Sequence, residues 1–210
     1  SAAPLQQPRA QTRNEILQAA ASPFEHLSEL AVGGDWQGAA GAIREFETLQ
    51  QRTSGALPAG VRQRFASEVA AIHESYRRRD QYALALQAAD AYRTLVAAQD
   101  AAAVTVPIEV SLLDYAGFKL MALLSSASPD WQAVEATAGE ARQFWTAIES
   151  RVKDKSLHTL TATVVDGLIS AGRARDRARA QFAAQVDLDL VDVLEGHFMG
   201  LATSRRPPRK

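Results

Sequence analysis

The 210-residue chain has no cysteine, which excludes disulfides, thiolate metal sites and cysteine nucleophiles. It also lacks a charge excess of either sign: Lys+Arg number 23 and Asp+Glu 24, for a net charge of -1. The basic surplus that marks broad nucleic-acid binding is therefore missing. The longest apolar stretch, residues 108–124, is interrupted by Glu109, Asp114 and Lys119, so it is no membrane span. The sequence contains no P-loop, no GxGxxG, no GxSxG and no HExxH. With no catalytic grouping in view, the expectation is a non-enzymatic protein. Strand alternation is lacking as well.

What is present is helical period. Hydrophobic residues make up 47% of the chain, enough to bury a sizeable core without a covalent staple. Ile16, Ala20, Phe24, Leu27 and Ala31 step by three and four, as do Val61, Phe65, Val69, Ile72 and Tyr76, and Tyr82, Ala85, Ala89, Tyr92 and Val96. Such steps place apolar groups on one helix face. Two breaks share a pattern, Gly34-Asp35-Trp36-Gln37 and Pro129-Asp130-Trp131-Gln132. In each, an aspartate suited to capping a helix precedes an Ala-rich run. Weaker echoes lie at Arg79-Asp80 and Arg175-Asp176. The four aspartates are 45, 50 and 46 residues apart, close to a regular period. Arg44-Glu45-Phe46-Glu47-Thr48 also resembles Arg142-Gln143-Phe144-Trp145-Thr146.

The fold expected is all-α: duplicated antiparallel helical hairpins forming a helical bundle, with TPR-like stacked hairpins as the variant. The hairpins fall at 14–54, 58–100, 107–153 and 156–198. An alternative makes 58–100 and 156–198 single long helices. Residues 1–12 and 201–210 read as solvated tails, the second basic, with repeat halves at 13–102 and 103–200 packed as one domain.

Candidate chemistry is sparse. His26 and Glu29 form an HxxE pair on one helix face, and His73 sits on a neighbouring helix in position to approach them. Asp114 lies in the most apolar helix of the chain, where a carboxylate needs a cation or a partner such as Arg, Tyr or a backbone group. His26, Glu29, His73 and Asp114 are thus the candidate metal ligands, with a transition-metal ion as the candidate cofactor. The last helix carries Asp187, Asp189, Asp192 and Glu195, which read as a solvated acidic face. Arg77 and Arg79, with Arg173 and Arg175, gather at equivalent places beside Trp36 and Trp131. Guanidinium and aromatic groups together hold an anion or an acidic partner.

The turns Gly34-Asp35-Trp36 and Asp80-Gln81-Tyr82-Ala83 resemble those of tetratricopeptide-type repeats. The start Ser1-Ala2-Ala3-Pro4, with no Met, reads as a terminus left by signal-peptide removal. With the duplicated helical body and His26-Leu27-Ser28-Glu29, the chain resembles imelysin-like periplasmic helical-bundle proteins, a family linked with bacterial iron uptake that uses an HxxE metal motif. The resemblance implies metal handling in the periplasm, with His26 and Glu29 as ligands and a membrane-transport or periplasmic protein as partner. The other expectation is a helical-repeat adaptor that binds a protein partner in a groove between hairpins.

Overall fold

The computed structural model describes residues 10–204. The tail readings for residues 1–9 and 205–210 lie outside these residues. The described chain is all-α. Its helices are α1 (Arg13–Val32), α2 (Trp36–Ala56), α3 (Ala59–Arg78), α4 (Gln81–Ala97), α5 (Ile108–Ser125), α6 (Trp131–Ile148), α7 (Lys155–Arg173) and α8 (Arg177–Ser204). Residues 201–204, expected in the C-terminal tail, continue α8, where Leu201 packs against the core.

Six of the eight helices begin where a side chain satisfies a free N–H group. Thr12 and Glu15 form a capping box at α1. Asp35, Asp80, Asp130 and Asp154 accept from the N3 amides of α2, α4, α6 and α7, and Asp176 accepts from the Arg179 N–H at the start of α8. Pro58 and Pro107 precede α3 and α5.

Residues 58–100 and 156–198 are hairpins, not long helices. No glycine makes the reversal. Arg79 (φ 58°) and Arg175 (φ 51°) adopt the left-handed conformation, as Gly34 (φ 71°) does after α1.

The helices α1, α4, α5 and α8 form a central row in which neighbours pack together. Around it, α2 packs on α1, α3 on α4, α6 on α5 and α7 on α8. α5 is buried nearly all round, as its composition requires, and touches α1, α4, α6 and α8. Phe24, Phe46 and Phe65 close the core of the first half, with ring centroids 4.6–5.8 Å apart. Trp145 occupies the core of the second. The halves meet through α4 and α5, where Arg93 bridges the Tyr115 hydroxyl and Glu140, and Lys119 donates to Asp90 and Tyr115.

The duplication appears in the burial pattern. Ala39, Ala42, Ile43, Phe46 and Thr53 of α2 are buried, as are Val134, Thr137, Ala138, Ala141 and Ile148 of α6, each 95 residues on. In that register Phe46 corresponds to Ala141. The likeness of Arg44–Thr48 to Arg142–Thr146 is therefore displaced by almost one helical turn, and the core space that Phe46 fills in one half is filled differently in the other.

Candidate functional site

The four proposed metal ligands do not converge. His26 and Glu29 are exposed on α1 and line a shallow groove with Asp35, Glu45, and Gly38 and Gly41 of α2. His73 lies exposed on α3, with Nε2 3.9 Å from Glu47 Oε1. Asp114 is in the interior, where Tyr92 donates its hydroxyl proton to Oδ2 at 3.1 Å. Among the described residues, no group of three His, Asp or Glu side chains is placed to hold a metal ion. Helical spacing brings two ligands to one face, but here α1, α3 and α5 turn their candidate residues to different surroundings.

The arginine–tryptophan end is partly internal. All four hairpin turns lie at one end: Gln81 donates to the Val32 carbonyl, and Gly172 abuts Val134 and Glu135. Arg77 and Arg78 both pair with Glu74. Arg79 stacks over Trp36 at 4.9 Å and Tyr76 at 5.4 Å. Trp131 is half-buried against the core. Arg173 and Arg175 are exposed.

A cleft of about 710 Å³ lies between α1 and α8. Its floor is Tyr92, Val96, Ile108 and Ser111, and the 99–106 loop closes one end. That loop is fixed by α1: Asn14 donates to the Asp100 carbonyl and accepts from its N–H, and Arg13 donates to Ala98. Glu25 on α1 and Glu195 on α8 line the two walls, and no lysine or arginine lines the cleft. Burial holds the Glu25 carboxyl above its ordinary range; His26 works against this, and Glu29, Glu195 and Asp192 reinforce it. Burial and Asp192 raise Glu195.

Beneath this floor the acidity continues. Asp114 is raised to about 8, by burial first and then by Glu25, with Tyr92 opposing and Asp187 and Glu195 adding. Asp187, expected on a solvated acidic face, is instead 1% exposed, and burial raises it to about 8. Its Oδ2 has no hydrogen-bond partner. The reason is its place on the core stripe of α8, between Ala184 and Val191. Sequence reading missed Tyr92, Glu25 and Glu195 as a set because they come from three helices with no local signature.

No family model matches the chain, and no match was found among curated proteins or solved structures. No helix among the described residues is long and apolar enough to cross a membrane.

Proposed function

We propose that this chain is a non-enzymatic helical-repeat adaptor that receives a positively charged segment of a partner protein in the cleft between α1 and α8. The observation that carries this reading is the cleft itself. It has an apolar and aromatic floor, and two carboxylates on its walls are raised by burial and by neighbouring acids without a basic residue among the lining. A lysine or arginine entering there relieves like-charge repulsion and gains a charge-assisted hydrogen bond. The apolar stem of such a side chain suits Val96, Ile108 and Met199.

Metal handling in the periplasm, implied by the HxxE pair, has less support. His26 and Glu29 share an open groove, while His73 and Asp114 stand apart from it.

Fluorescence anisotropy with a labelled oligolysine peptide tests the adaptor reading. Binding is expected to weaken with salt, and Glu25→Gln with Glu195→Gln is expected to reduce affinity about tenfold. Binding indifferent to these substitutions sinks the cleft as the site. Calorimetric titration of iron, zinc and manganese ions tests the other reading. Tight binding lost in His26→Ala with Glu29→Ala would restore it.

A further inference from the structure

The duplication offers an internal comparison of the α3–α4 and α7–α8 turns. Both have an arginine in the left-handed conformation followed by a capping aspartate. In the first turn each cationic group has a partner within the fold. Glu74 takes Arg77 and Arg78, and Trp36 and Tyr76 take Arg79. Ninety-six residues on, Ser170 stands in the place of Glu74 and Gly172 in that of Tyr76. Trp131 keeps the place of Trp36, but the Glu74 and Tyr76 partners are gone; Arg77 and Arg79 keep arginine counterparts, Arg78 becomes Ala174, and two arginines are added, Arg177 and Arg179 standing where the first turn has Gln81 and Ala83.

None of Arg173, Arg175, Arg177 and Arg179 has an ion-pair partner among the described residues. Glu135 lays its stem against Gly172 without pairing any of them. One further replacement points the same way. Leu86, packed partly against the core in α4, has Phe182 as its counterpart in α8, and Phe182 is 74% exposed. Phe182 is thus left in water in the second turn of α8, the helix that follows this arginine-rich turn.

We infer that the α7–α8 turn is a docking surface for an acidic, partly apolar peptide segment of a partner protein, with Arg173, Arg175, Arg177 and Arg179 taking carboxylates and Phe182 taking an apolar side chain. Charge complementarity sets the sign of the partner, and the planar guanidinium fork suits a carboxylate. A peptide fits better than a bilayer. The other exposed large apolar side chains, Leu160, Val193 and Met199, lie well along α7 and α8 from this end, so one ring alone is available for insertion. The surface is at the end of α8 opposite the cleft and does not depend on what the cleft holds.

Anisotropy with a labelled peptide of alternating Glu and Leu is the test, on the whole chain at low salt. Binding is expected, with about a tenfold loss for Arg173→Glu with Arg175→Glu, and a similar loss for Phe182→Ser. The matched change in the first turn, Arg77→Glu with Arg79→Glu, is expected to leave affinity within about twofold. Circular dichroism checks that each variant remains helical. The inference is overturned if the parent does not bind, or if the two turns lose affinity equally. Binding to phosphatidylserine vesicles in place of the peptide also overturns it, in favour of a membrane surface.

Discussion

Asp114 and Asp187 join the cleft to the stability of the bundle. Both carboxyls sit near 8 in the folded chain, far above the ordinary 3.8. The folded state therefore holds these protons more tightly than the unfolded chain does. The stability they contribute is complete below about pH 4, and it is lost as pH rises toward and through 8. Each group removes roughly 1 kcal/mol per pH unit across that window. Urea unfolding between pH 5 and pH 8 is expected to show the midpoint falling with pH, and Asp114→Asn with Asp187→Asn is expected to flatten that slope. An unchanged slope in the double variant would assign the pH dependence elsewhere. The presence of a carboxylate in the α5 core was legible from composition, and Tyr was among its expected partners. Asp187 was legible too, since it falls on the step from Ala180 and Ala184 to Val191, Leu194 and Phe198. Reading α8 by its acids rather than by its period put that residue on the wrong face.

At the level of the element, the reversals at Arg79 and Arg175 were the hardest to foresee. A left-handed arginine leaves no mark in the sequence, because the conformation is imposed by the capping aspartate and the following helix. Its cost, about 1 kcal/mol, is one a glycine would not incur. The two positions should nevertheless respond differently. Arg175→Gly is expected to raise stability by about 0.5–1 kcal/mol in thermal unfolding. Arg79→Gly is expected to gain less, because it also removes the stacking on Trp36 and Tyr76. Equal gains would mean that the stacking contributes nothing. The Asp35 and Asp130 caps, by contrast, were read correctly, since a side-chain cap is a local interaction carried by adjacent residues.

Across the whole molecule, α5 is the helix on which both halves lean, and Gly117 sets how closely α8 approaches it. A Cβ at Gly117 would meet Leu188 Cδ2 at 2.6 Å and Cγ at 2.8 Å, with Asp187 Oδ2 at 3.2 Å. Gly117→Ala is expected to cost about 1–3 kcal/mol by overpacking, measurable by chemical denaturation. A loss below about 0.5 kcal/mol would show that Leu188 swings aside freely. Periodicity gave no sign of this contact, because it fixes which residues face inward but not which distant helix they meet. The same contact has a mechanical consequence. α8 has 28 residues where its counterpart α4 has 17. From Leu188 to its end at Ser204 it reaches about 24 Å. With Gly117 as fulcrum, α8 is a lever arm: a tilt of about 10° there carries the far end through about 4 Å. At Glu195, seven residues from Leu188, the same tilt shifts the wall of the cleft by about 2 Å, so the packing of one glycine bears on the width of that opening.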